Sequence, residues 1–68
     1  MNEHTLEILF RDEGRTIRLT GSPLSLTFTL LVFAESHELR VMDCHTGKSL
    51  LVEREPACVE LNTFFYGD

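Results

Sequence analysis

Leu24-Ser25-Leu26-Thr27-Phe28-Thr29-Leu30-Leu31-Val32-Phe33-Ala34-Glu35 is the stretch on which the fold turns. Read in steps of two, Leu24, Leu26, Phe28, Leu30 and Val32 share one side and Ser25, Thr27, Thr29, Leu31 and Phe33 the other, the periodicity of a pleated strand. Read at helical spacing, Phe28, Leu31, Val32 and Glu35 share a face, and Ser22-Pro23 or Thr27 could cap its start. Thr, Val and Phe are weak helix formers that suit a pleated surface, so the alternation favours a strand. Leu31 and Phe33 then point away from the core and need a second cover.

Working outward, turn-type residues recur at Asp12-Glu13-Gly14, Gly21-Ser22-Pro23, Ser36-His37, Thr46-Gly47 and Glu55-Pro56. They cut the chain into short pieces, the cadence of an antiparallel sheet. Leu6, Ile8 and Phe10 alternate with Glu7, Leu9 and Arg11, and Ile17 and Leu19 alternate with Thr16, Arg18 and Thr20. Gly14 between them supplies the positive φ of a tight hairpin. A second hairpin runs through Leu39–Cys44 and Ser49–Glu53 around His45-Thr46-Gly47-Lys48. Pro56 lacks the donor a ladder needs and should end that strand, leaving Ala57–Tyr66 as a last one. The fold expected is all-β, a small antiparallel meander of five or six strands with closure into a partial barrel as a variant. The alternative is α+β, with residues 24–36 helical and packed on an antiparallel sheet. Neither an internal repeat nor a low-complexity segment is read in the chain, and residues 1–68 are taken as a single small domain.

Leu24-Ser25-Leu26-Thr27 followed by Leu30-Leu31 resembles the strand-to-helix junction of response-regulator winged-helix domains, whose motif reads Leu-x-Leu-Thr and then, after an acidic residue, Leu-Leu. The resemblance covers about a dozen positions and implies a strand passing into a helix within this stretch. This chain lacks the acidic residue between the two halves, and nothing after Cys44 resembles a recognition helix. No DNA-binding function carries over.

Six Lys plus Arg stand against eleven Asp plus Glu, a formal charge of −5. That balance disfavours nucleic-acid phosphates and anionic membrane surfaces as partners. The polar, acidic start Met1-Asn2-Glu3-His4 is unlike a secretory signal, and the longest apolar run, Leu30–Ala34, is too short to span a bilayer. A cytoplasmic location is expected, with Cys44 and Cys58 reduced.

Four residues are of zinc-ligand type: His37, Cys44, His45 and Cys58. Structural zinc sites present ligands in close pairs, whereas Cys44 and His45 are adjacent and would point to opposite sides of a strand. The same objection meets a thiol nucleophile built from Cys44, a histidine and Asp43 or Glu38. A Cys44–Cys58 disulfide requires neighbouring strands. No catalytic residue, metal or cofactor is therefore assigned.

The more informative feature is apolar surface left over once a core is filled. Leu31 and Phe33 in the middle and Phe64, Phe65 and Tyr66 near the end would lie outside it, with Glu53 and Glu55 as an acidic rim. These seven residues are the candidate partner-binding set. They suggest a non-catalytic protein-binding module, a small acidic regulator or inhibitor whose partner carries a basic surface, and which forms a homodimer. The other class considered is a β domain for single-stranded nucleic acid, with Phe64, Phe65 and Tyr66 stacking on bases and Arg11, Arg15 and Arg18 on phosphates.

Overall fold

A computed structural model describes residues 3–53 and 57–67. Its elements run β1 (His4–Phe10), β2 (Arg15–Gly21), α1 (Pro23–Ala34), β3 (Leu39–Asp43), β4 (Ser49–Val52) and α2 (Ala57–Tyr66). The four strands form one open antiparallel sheet in the order β2-β1-β3-β4. Both helices pack against the same side of it, since the inward residues of the strands and of α1 and α2 make one buried cluster.

Both hairpins form where the alternation and the turn glycines place them. Leu6, Ile8 and Phe10 point into the core from β1, Leu39 and Val41 from β3, and Val52 from β4. Gly14 and Gly47 sit at φ of 68° and 81°, a left-handed conformation that few other residues adopt without strain. Each turn is closed by a bond from the glycine N–H to the strand's last carbonyl, Phe10 at 2.7 Å and Asp43 at 2.8 Å.

The all-β expectation is overturned in two places. Residues 23–34 coil into α1, so the α+β alternative is the architecture adopted, and Ala57–Tyr66 forms α2 instead of a last strand. Four strands and two helices make neither a meander of five or six strands nor a barrel. The strand half of the winged-helix-like junction is missing too, because the helix already begins at Pro23.

The physical reason lies in what the sheet requires. A four-stranded sheet with a continuous apolar face cannot leave that face in water, and only the remaining segments can cover it. Local chemistry at the start of α1 agrees. Ser22 is the N-cap, its hydroxyl accepts the Ser25 N–H at 3.2 Å, and Pro23 occupies the first turn, where its missing N–H costs nothing. The buried residues Pro23, Leu26, Leu30 and Ala34 then recur at spacings of three and four. Almost every position of this segment is apolar, Ser or Thr, so both periodicities are satisfied and burial against the sheet decides between them.

The structure also exposes an internal repeat that sequence reading missed. A shift of 33 residues, from Leu6 to Leu39, carries the pairs Leu6↔Leu19, Ile8↔Ile17 and Leu9↔Thr16 onto Leu39↔Val52, Val41↔Leu50 and Met42↔Ser49. The same shift exchanges Leu6↔Asp43 with Phe10↔Leu39 and returns Ile8↔Val41 to itself, so a pseudo-twofold axis passes between β1 and β3. Two strand-strand-helix units thus meet back to back. In sequence the correspondence is His4 with His37, Gly14 with Gly47 and Pro23 with Pro56. Its side chains are similar in kind more than identical, which is why it escapes inspection of letters.

Each unit clasps the turn of the other. Arg11 N–H donates to the Glu38 carbonyl and Cys44 N–H to the Thr5 carbonyl, both at 2.9 Å, and these two bonds are equivalent under the shift. At one end His4 Nδ1 donates to Asp43 Oδ2 at 2.8 Å; at the other His37 Nδ1 donates to Asp12 Oδ2 at 3.1 Å.

A candidate docking surface on the helical layer

Between Pro23 and Ala34 there is no charged residue. The sheet covers one side of this helix, and the opposite side presents Leu24, Phe28 and Val32, one residue per turn, to solvent. From α2, Leu61 reaches into the core while Val59 and Tyr66 point outward. The stripes are continuous at one end, where Pro23, Leu24, Phe65 and Tyr66 line one shallow groove beside His4. At the other end of α1 the setting turns acidic, with Glu35, Glu38 and Glu53 around a depression that also includes Ala34 and His37. An apolar face with an acidic border is the result.

Leu24, Phe28, Val32, Val59 and Tyr66 are 78, 70, 48, 65 and 63% exposed. For side chains of these sizes that amounts to on the order of 500–600 Å² of apolar surface, at the upper end of what monomers leave bare. A helix that is apolar on every side belongs in an interior, and α1 has only half of one.

The seven residues proposed from sequence fall differently. Leu31 and Phe33 are half-buried against the core, and the Phe33 ring meets Phe10 edge-on at 5.2 Å. Phe64 and Phe65 also pack on the core; Phe65 lies edge-on to His4 at 5.2 Å and to Phe64 at 5.3 Å. Tyr66 is exposed on the face, and Glu53 is exposed at the end of β4 on its border. Glu55 lies outside the described residues. Leu24, Phe28, Val32 and Val59 were missed because a strand would have turned Leu24, Phe28 and Val32 inward. The signal that could have found them is the helical face shared by Phe28 and Val32.

Other clusters have local explanations. Asp43 is almost wholly buried, at 3% exposure, and its oxygens are engaged by His4 Nδ1 at 2.8 Å and by the backbone N–H groups of His45 at 2.8 Å and Thr46 at 3.3 Å. Burial pushes its pKa up, but the hydrogen bonds from His4, His45 and Thr46 outweigh that and hold it below the ordinary carboxylate value. Asp43 therefore organises the β3–β4 turn and is not free to assist the exposed Cys44 thiol. His37, Asp12 and Glu13 bring ligand-type atoms within 4.8 Å of one another, and the group is held by the His37–Asp12 bond and by Arg15 Nη1 at 3.6 Å from Glu13 Oε1. The four zinc-type residues considered from sequence are not gathered: His37 is at that end, Cys44 and His45 are in the opposite turn, and the Cys58 side chain lies outside the described residues. Among the described residues no buried side-chain nitrogen or oxygen lacks a hydrogen-bond partner, so none points unsatisfied into a cavity.

Comparison with family models, with curated proteins and with solved structures found no match. No helix among the described residues is long and apolar enough to cross a membrane.

Proposed function

We propose that this chain is a non-catalytic protein-binding module, a small acidic regulator or inhibitor that docks through the outward face of α1 and the exposed residues of α2. The observation that supports this reading is the row Leu24, Phe28 and Val32, solvent-facing on a helix with no charge. Tyr66 and Val59 add exposed apolar surface on α2, and Glu35, Glu38 and Glu53 supply an acidic rim at one end, of which only Glu53 belongs to the pair Glu53 and Glu55 expected from sequence. Apolar centre and charged rim are the usual anatomy of a protein interface. The chain would act in the cytoplasm, where Cys44 stays a thiol.

The single-stranded nucleic-acid alternative has less support, since of its three aromatic residues Tyr66 is the exposed one. Phe64 and Phe65 pack on the core instead of offering open ring faces. Arg18 pairs with Glu7 at 2.7 Å, Arg11 with Glu38 at 3.5 Å and Arg15 with Glu13 at 3.6 Å.

Affinity capture with wild type, Phe28→Asp and Met42→Asp, followed by reconstitution with the purified partner, tests the reading. Met42 is exposed on the opposite side of the sheet. Partner binding should be lost in Phe28→Asp and kept in Met42→Asp. Equal binding by a folded Phe28→Asp protein would remove the helical face from consideration.

A further inference from the structure

We infer that the occupant of the helical face is a second copy of this chain, with the two α1 helices crossing antiparallel about a twofold axis near Phe28. This rests on the reading of that face as a docking surface and names what fills it. Three observations point to self-association.

The first is shape. Leu24, Phe28 and Val32 form a ridge along the i+4 row, the row whose mutual interdigitation gives the commonest helix crossing. Beside it runs Ser25 and Thr29, a row of small side chains and hence a groove. The Thr29 hydroxyl already donates to the Ser25 carbonyl at 3.1 Å, so covering it strands no donor. Ridge and groove on one helix fit the same pair on another, as a twofold interface requires.

The second is charge. The protein carries −5, and two copies repel wherever acids face acids. The helix from Pro23 to Ala34 is a surface on which they can meet without charge. Antiparallel crossing at Phe28 sets Leu24 of one copy beside Val32 of the other and sends the two groups Glu35, Glu38 and Glu53 to opposite ends. A parallel arrangement would superpose the acids. A strongly basic partner, by contrast, would find its counter-charges at one end of the face only.

The third is area. A stable dimer buries about 800 Å² on each partner. The exposed apolar side chains of α1 and α2 supply on the order of 500–600 Å² of that, and Ser25 and Thr29 beside the ridge add uncharged surface to it.

Light scattering during size exclusion, over a dilution series, should give twice the 7.8 kDa chain mass at high concentration. Phe28→Asp should give the single-chain mass with an unchanged far-ultraviolet circular dichroism spectrum. In a background with Cys44 and Cys58 changed to serine, Phe28→Cys should oxidise to a covalent dimer. A Met42→Cys control should not. Wild type at single-chain mass throughout would overturn the second copy as occupant, and the partner-capture experiment would then judge the docking face by itself. A dimer that survives in Phe28→Asp, or a Phe28→Cys protein no more cross-linked than Met42→Cys, would overturn the assigned seam.

Discussion

Replacing Asp43 by alanine should remove a large share of the folding free energy, although Asp43 belongs to no docking surface. The native carboxylate accepts one bond from His4 Nδ1 and two from the N–H groups of His45 and Thr46. Hydrogen bonds to a charged group contribute about 1.5–3 kcal/mol each when well buried and less at a surface. His45 and Thr46 are exposed, so water can replace their bonds; His4 is half-buried under Phe65 and is less easily rescued. The loss expected is about 2–3 kcal/mol. A chain of 68 residues has a total stability on the order of 3–10 kcal/mol, so this is a substantial fraction of it. For a domain of this size it lowers the midpoint of thermal unfolding by roughly 10–20 °C. Urea and thermal unfolding of Asp43→Ala beside wild type measure it directly, and Asp43→Asn, which keeps an acceptor for the turn, should fall between. A loss below about 0.5 kcal/mol would refute the reasoning, because surface substitutions away from such features already span that range.

Further expectations concern pH, packing, the cap and the turns. The folded pKa of Asp43 lies below its unfolded value, so its contribution is complete above about pH 4 and is lost as pH falls through the lower folded value; acid unfolding of Asp43→Asn should lack that part of the pH dependence. Leu30 is fully buried beneath α1, and Leu30→Ala should cost about 2–5 kcal/mol in urea unfolding while leaving the outward face intact. Ser22→Ala removes the N-cap acceptor of α1 and should cost about 1 kcal/mol by the same assay. Gly47→Ala meets open space but demands a positive φ of an alanine; it should destabilise by about 1 kcal/mol, with Gly14→Ala giving an equal loss at the equivalent turn.

How far the fold could be read from residues differs by segment. Both hairpins were legible because alternation and a turn glycine agree: Leu6, Ile8 and Phe10 point inward, and Gly14 and Gly47 hold positive φ. The segment 24–35 was misread because Leu and Phe occupy both its sides and no charged residue before Glu35 marks a solvent side, so the two-residue alternation that favoured a strand is also compatible with a helix. Residues 57–66 were misread for a related reason. After Pro56 a further strand looked natural, but four strands already made a sheet whose apolar side lacked a cover. Tertiary demand overrode weak local propensity in both helices. The docking face inherited the error. Tyr66 and Glu53 were placed at the surface correctly, whereas Leu31 and Phe33 exchanged roles with Phe28 and Val32 once the strand became a helix.

Methyl-resolved NMR with a soluble paramagnetic relaxation agent probes the covered face most directly. At concentrations where the chain is assembled, the methyl groups of Leu24 and Val32 should relax far less than that of Met42 on the open side of the sheet, and dilution should abolish the difference. Leu24 and Val32 methyls that relax at least as fast as Met42 at every concentration would contradict the account, because the apolar side of α1 would then stand in water with nothing over it.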